Sequence, residues 1–178
     1  MLTKTQAQAA LLTAAEVGAG FTQTQSDNSN TPLPCTPNEP PLSTQFPPDV
    51  DVQADFTGAA GSALFSEEIQ TYADAATVAQ VIAAGEHGLG CGTAVVGGVQ
   101  VQLTGPKNVA AQLQVPVDKA EVWTLASSQL NAALIITQIG PQLIVFSFGA
   151  APSVDTSTLP DESSVVVAGL KKVNEALK

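Results

Sequence analysis

Two cysteines, Cys35 and Cys91, constrain this chain more than any other feature of its sequence. The first lies in the proline-rich segment 32–37, and the second lies in a glycine-rich segment that follows a predicted helix. Neither has a second cysteine or a histidine at zinc-ligand spacing, so a structural zinc site is disfavoured. An isolated pair with both members in loops predicts one disulfide. That bond would restrict the unfolded chain by about 4 kcal/mol in the chain-entropy model.

A disulfide of this kind predicts a protein that works outside the cytoplasm, where such bonds persist. The 178 residues are enough for one domain with a sizeable core, so we expect a single domain over residues 1–178. The sequence has sixteen acidic residues, six lysines and no arginine, which gives a net charge of −10 at pH 7. Arginine supplies the bidentate contacts that hold phosphates, so nucleic-acid binding is excluded as a function, and attraction to anionic lipids is disfavoured.

The first 20 residues lack the basic start, apolar run and cleavage site of a signal peptide. We therefore expect an export signal, a lipid anchor or a membrane helix upstream in the full-length protein, and contact with a membrane only through that anchor. Segment 130–151 is apolar, but Gln138, Gly140-Pro141 and Gln142 interrupt it. This pattern favours two paired strands over a membrane span.

Hydrophobic periodicity predicts an α+β fold, in which an antiparallel sheet packs against two or three helices. Strands are predicted at 21–25, 50–56, 63–72, 95–103, 113–117, 121–127, 132–139 and 142–148. Helices are predicted at 4–12, from the cap Asp74 to about Gly85, and from 160–162 to the C-terminus, with a capping box from Thr13 to Glu16. Gly97-Gly98 is expected to form a bulge or tight turn. The proline-rich segment 26–48 reads as a long loop that the disulfide at Cys35 would fasten to the body.

The order of these features resembles a known family. The motif near the N-terminus begins with Leu11-Leu12, continues with a short predicted helix and two glycines, and ends at Phe21. Strand 64–72, helix 74–86, a cysteine after that helix, and a late apolar hairpin with a C-terminal helix follow. This arrangement resembles the PknH-like extracellular sensor domain of actinobacteria, found in a receptor Ser/Thr kinase and in many mycobacterial lipoproteins. The resemblance implies an extracytoplasmic domain with a groove for an unidentified ligand.

The family's kinase member has two disulfides, whereas this chain has cysteines for one. This difference favours a cell-envelope lipoprotein or a stand-alone relative over a kinase ectodomain. The sequence contains no kinase motif, so no kinase activity is expected.

Candidate ligand-binding residues are Trp123 and Tyr72, the only tryptophan and the only tyrosine. Either could line a pocket, although aromatic residues with a polar tip more often pack in a core. The absence of arginine and the low charge favour a small neutral or apolar ligand over an anion. The alternative is a protein–protein interaction module that binds an envelope protein. We expect no cofactor, no metal and no catalytic residue.

Three further sequence patterns could indicate a catalytic or metal site, but each is less specific. His87 could activate Cys91 in a small cysteine-dependent hydrolase, but only if Cys91 were a free thiol. The aspartates at 49, 51 and 55 could form a calcium site, but a solvated strand face is favoured because the EF-hand pattern is missing. Glu67 and Glu68 are adjacent on a strand, so their side chains should point to opposite faces and should not share a site.

Overall fold

Alternating apolar residues form eight strands of one antiparallel sheet, which confirms the predicted α+β class. The computed structural model describes residues 1–25, 31–58, 61, 63–154, 159 and 161–178. Within them the strands are β1 (Thr22–Thr24), β2 (Val50–Thr57), β3 (Ala63–Thr71), β4 (Thr93–Val96), β5 (Val99–Asn108), β6 (Lys119–Ala126), β7 (Asn131–Ile139) and β8 (Gln142–Ala150). Their order across the sheet is β1-β2-β3-β8-β7-β6-β5-β4.

Helices cover both faces of this sheet. They are α1 (Lys4–Ala10), α2 (Ala14–Val17), α3 (Leu42–Gln45), α4 (Ala75–Leu89) and α5 (Glu162–Ala176). The carboxylate of Asp74 accepts a hydrogen bond from the Thr77 backbone N–H at 2.7 Å, which confirms the predicted cap of α4. At α2 the Glu16 carboxylate accepts from the Thr13 backbone N–H at 2.8 Å, as the capping-box pattern predicts.

Two apolar clusters form, one on each face of the sheet. On the first face, Val52, Ala54 and Phe56 of β2 are buried together with residues of α1, α2 and α5. On the second face, α4 packs against β6, β7 and β8. Because successive side chains of a strand alternate, β3 contributes Glu67 to the first face and Glu68 to the second. This confirms that the two glutamates do not share a site.

The predicted strand at 113–117 is wrong. The chain forms a 3₁₀ turn at Ala110–Gln112 and then an irregular segment. Leu113 and Val115 are buried in the core, so their alternation reflects anchoring of a loop and not a sheet ladder. Gln114 adopts a positive φ of 53°, and Pro116 has no backbone donor, so neither favours an extended strand here.

Three other boundaries differ from the prediction. Segment 95–103 is a hairpin of β4 and β5, with positive φ at Gly97 and Gly98 in its turn. Helix α4 continues past Gly85 to Leu89 because its glycines face packed neighbours and do not end it. The predicted loop 26–48 contains the short α3, and its residues 26–30 lie outside the described part.

The apolar segment 130–151 forms the antiparallel hairpin of β7 and β8, as predicted, with Gly140 at a φ of 56° in the turn. Within the described residues, none of the helices is long and apolar enough to cross a membrane.

Candidate functional site

The disulfide between Cys35 and Cys91 fixes residues 31–48, which we call the fastened segment, to the end of α4. The S–S distance is 2.06 Å and the two Cα atoms lie 5.7 Å apart, across a sequence separation of 56. Next to it, the Cys35 backbone N–H donates to the Gly88 carbonyl at 3.0 Å. The predicted bond is confirmed, and Cys91 is no free thiol. The cysteine-dependent hydrolase therefore loses its nucleophile, and His87 remains as an exposed residue in the last turn of α4.

Two glycines of α4 receive the fastened segment. A Cβ atom on Gly88 would lie 2.3 Å from the Leu33 Cδ1 atom, so only glycine allows Leu33 to pack this closely. One turn earlier, a Cβ on Gly85 would lie 3.8 Å from the Leu42 Cδ1 atom, an ordinary contact distance. The segment thus lies along α4 and forms an outer wall beside the second face of the sheet.

A cavity of about 520 Å³ opens between this wall, α4 and the sheet, and we call it the groove. The sheet supplies an apolar floor from Leu134, Ile136, Leu143 and Val145. Helix α4 adds Val81, Ile82, Gly85 and Leu89, and the fastened segment adds Thr31, Leu33, Leu42 and Ser43. The remaining lining residues are polar and come from β2 and β3: Asp51, Gln53, Glu68 and Gln70. The groove therefore combines an apolar floor with one polar wall.

The register of β2 against β3 builds the polar wall. Asp51 lies opposite Gln70, and Gln53 lies opposite Glu68, so the side chains of Asp51 and Glu68 are diagonal neighbours. The Tyr72 hydroxyl donates to Gln70 Oε1 at 2.7 Å, and Gln70 Nε2 donates to Glu68 Oε1 at 2.6 Å. This chain of hydrogen bonds fixes the orientation of the Gln70 amide and of one Glu68 oxygen.

Both carboxyl groups of the wall titrate above their ordinary range. Burial, reinforced by the negative charge of Asp51, raises the pKa of Glu68 to about 7. Desolvation also raises the pKa of Asp51, although this residue remains exposed at the rim of the groove. The two carboxyls lie within hydrogen-bonding reach of each other, so ionisation of one disfavours ionisation of the other.

The structure places the two aromatic candidates beneath the site. Trp123 and Tyr72 are each 2% exposed and belong to the apolar cluster on the α4 side. Neither is among the residues that line the groove. Tyr72 acts on the groove through its hydrogen bond to Gln70. Trp123 packs against Gly105, where a Cβ atom would lie 2.7 Å from the indole. Ligand contact by these two residues remains a prediction.

The polar wall is the part of the site that sequence reasoning missed. Asp51 was interpreted as part of a solvated strand face, and it is exposed, but it also borders a cavity. The sequence signal for the pair is the polar alternation on both β2 and β3, which becomes informative only once their register is known. Among the described residues no group of three or more histidines, cysteines, aspartates or glutamates is arranged to hold a metal.

A second cavity of about 380 Å³ lies at the other ends of β3, β7 and β8. Its lining is mainly apolar and includes Phe21, Leu64, Leu125 and Phe148. Its polar lining residues are Thr124, Asn131 and Glu162, and no hydrogen-bonded wall like the one formed by Tyr72, Gln70 and Glu68 is described among them. The groove is therefore the stronger candidate.

The sequence matches no protein-family model and no curated protein. Among solved structures, the chain is similar to the extracellular domain of PknH from Mycobacterium tuberculosis, with a TM-score of 0.70 and 7% sequence identity. The similarity covers 99% of this chain and 97% of that domain. The resemblance expected from the sequence is thus confirmed at the level of the fold.

Proposed function

We propose that this chain is a non-enzymatic, extracytoplasmic ligand-binding domain of the sensor type. The observation that carries the proposal is the groove, in which an apolar floor, a polar wall and a disulfide-fastened outer wall enclose about 520 Å³. Small-molecule sites in proteins typically have volumes of about 300–1,000 Å³ and combine these same elements.

Two observations support the extracytoplasmic setting. The disulfide between Cys35 and Cys91 is of the kind that persists in oxidising compartments. The fold is shared over nearly the whole chain with the extracellular domain of PknH. We therefore propose that the 178 residues form one domain of a cell-envelope lipoprotein or receptor.

The ligand proposed for the groove has a neutral or apolar body. The floor offers it four aliphatic side chains from β7 and β8, and α4 offers three more. Burying such a body is favourable by roughly 25 cal/mol for each Å² of apolar surface removed from water. An anion is disfavoured because Asp51 and Glu68 line the opposite side.

Titration with the neutral apolar dye N-phenyl-1-naphthylamine tests this site. The substitution Val145→Trp would fill the floor and should weaken dye binding by about tenfold or more. The matched control is Leu64→Trp, which alters the second cavity and should leave the dye affinity unchanged. If Leu64→Trp weakened dye binding and Val145→Trp did not, the dye site would be the second cavity. Failure of the wild-type protein to bind the dye at any concentration tested would contradict the proposal.

The outer wall offers an independent test. Replacing both cysteines by serine releases the segment that carries Leu33 and Leu42, so the dye should bind more weakly even under conditions where the protein stays folded. Circular dichroism at the temperature of the titration checks the folded fraction. Unchanged affinity in a folded double variant would show that the fastened segment is no part of the site.

A protein–protein interaction module remains the second candidate, and one observation favours it. Strand β4 is an edge strand, and its Val95 and Val96 are 68% and 46% exposed. Exposed apolar edges can pair with a strand of another chain. The dye titration separates the two candidates, because a protein module needs no groove that binds a small apolar molecule.

A further inference from the structure

The groove has a chemical asymmetry that narrows the class of ligand it can take. Its floor and its α4 side are aliphatic, whereas Asp51 and Glu68 meet at one wall. One Glu68 oxygen and the Gln70 amide are already held in place by the hydrogen bonds that begin at Tyr72. The wall is therefore oriented before any ligand arrives, and such preorganisation lowers the cost of binding.

The described residues that line the groove include no lysine, so the lining supplies no positive charge to these carboxyls. Lys119 pairs with Glu86 and Glu121, and Lys172 pairs with Glu16. Close carboxyls without a cation repel each other when both are ionised, so each raises the pKa of the other. A ligand that brings a positive charge would relieve that repulsion.

An organic cation suits this wall better than a metal ion. Calcium takes six to eight oxygen ligands, and among the described residues no three or more histidines, cysteines, aspartates or glutamates come together to hold a metal. An ammonium group is satisfied by two or three hydrogen-bond acceptors, and a hydrocarbon chain attached to it would lie on the floor.

We propose that the groove binds a primary amine with an aliphatic body, whose ammonium group donates to Asp51 and Glu68 while its hydrocarbon covers Leu143 and Val145. The proposal rests on the proposed function, since it uses the same groove. It adds the chemical class of the ligand's polar end, a strong hydrogen-bond donor with a positive charge.

A pH dependence follows from the groups that face the wall. Strand β2 presents Asp51 and Asp55, strand β3 presents Glu68, and Tyr72 follows it. The lining residues from α4, β7, β8 and the fastened segment carry no charge. The pKa of Glu68 is about 7, so the amine must displace a proton at lower pH. Its affinity should rise between pH 5.5 and pH 8 by roughly tenfold, within the range in which the amine itself stays protonated.

Displacement of N-phenyl-1-naphthylamine by three probes of equal chain length tests the inference. The probes are n-octylamine, 1-octanol and octanoate, each at pH 7.5 with the oxidised protein. Octylamine should displace the dye at about a tenfold lower concentration than octanol, and octanoate should be the weakest, because hydrogen bonds to charged partners are the stronger ones.

Two variants link that preference to the wall. Glu68→Gln and Asp51→Asn should each bring octylamine close to octanol, when displacement is corrected for the dye affinity measured for that same variant. The control Glu39→Gln removes the same formal charge from an exposed residue outside the lining, and it should keep the preference.

The outcomes separate the two proposals. Dye binding with equal displacement by octylamine and octanol would overturn the amine inference and leave the proposed function standing. A preference that survives in Glu68→Gln and Asp51→Asn would also overturn it, since the preference would then come from net charge. A dye that does not bind the groove would overturn both proposals.

Discussion

Glu67 and Glu68 are consecutive residues of β3, yet they face two very different regions of the molecule. Glu67 is fully buried under α5, where the Leu12 backbone N–H donates to its Oε2 atom at 2.6 Å, and its Oε1 atom has no hydrogen-bond partner among the residues that the structure describes. Glu68 is half-buried and borders the groove beside Gln70 and Asp51. Burial raises the pKa of both to about 7. The pKa is therefore raised to a similar value for Glu67 in a closed core and for Glu68 at the open groove.

The difference teaches how the sheet is divided. On the first face, the aromatic rings of Phe56, Phe65 and Phe146 lie in series, with centroids 5.6 and 6.4 Å apart. On the second face, Val145 and Leu134 are only half-buried and form the groove floor. We infer that the first face supplies most of the stability, which allows the second face to keep an open groove.

Truncating one side chain on each face of β8 gives the largest expected difference. Phe146 is fully buried, so Phe146→Ala should lower the free energy of unfolding by about 3–5 kcal/mol. Its chain neighbour Val145 lines the groove, and Val145→Ala should cost only about 1 kcal/mol. Urea denaturation of both variants measures this. Equal losses would show that the two faces carry stability alike.

Protonation of Glu67 gives an effect of intermediate size. Its pKa is raised from 4.5 to about 7 in the folded protein, so the folded state binds a proton more tightly than the unfolded state does. The resulting stability is fully present below pH 4.5 and is lost as the pH rises to about 7. The substitution Glu67→Gln should remove this contribution, on the order of 2 kcal/mol, from the pH profile of unfolding free energy.

The matched variant Glu68→Gln sharpens the same comparison. Glu68 keeps contact with solvent, so its substitution should flatten the profile less than Glu67→Gln does. Urea denaturation between pH 4.5 and pH 8 compares wild type and both variants. A profile that Glu67→Gln leaves as steep as in wild type would contradict the assignment of the buried proton to this residue.

Much of the closed face could be predicted from the sequence, because local rules determine it. The alternation of Val52, Ala54 and Phe56 predicts which side of β2 is buried, and two isolated cysteines predict their own bond. The groove could not be predicted in this way. Its wall depends on the register that brings Asp51 to Gln70, and its depth depends on how Leu33 lies on α4. Both are long-range relations that periodicity does not contain.

The irregular segment at 113–117 also shows that sequence periodicity does not determine long-range strand pairing. Leu113 and Val115 alternate as in a strand and are buried, but they lie beside the sheet and add no strand to it. Local alternation of apolar and polar residues indicates which side chains are buried. It does not determine whether the backbone finds a neighbouring strand, since that depends on Pro116 and on the turn at Ala110–Gln112.

Alanine at one helix glycine on each face should give effects of opposite sign. A Cβ atom on Gly169 of α5 would lie 2.7 Å from Glu67 Oε1 and 2.8 Å from the Phe146 ring, so Gly169→Ala should destabilise the protein by about 1–3 kcal/mol. Gly85→Ala in α4 meets only Leu42 at 3.8 Å and gains helix propensity, so it should stabilise by up to about 1 kcal/mol. Thermal denaturation measures both. A destabilised Gly85→Ala variant would mean that α4 is packed against Leu42 as tightly as α5 is packed against Glu67 and Phe146.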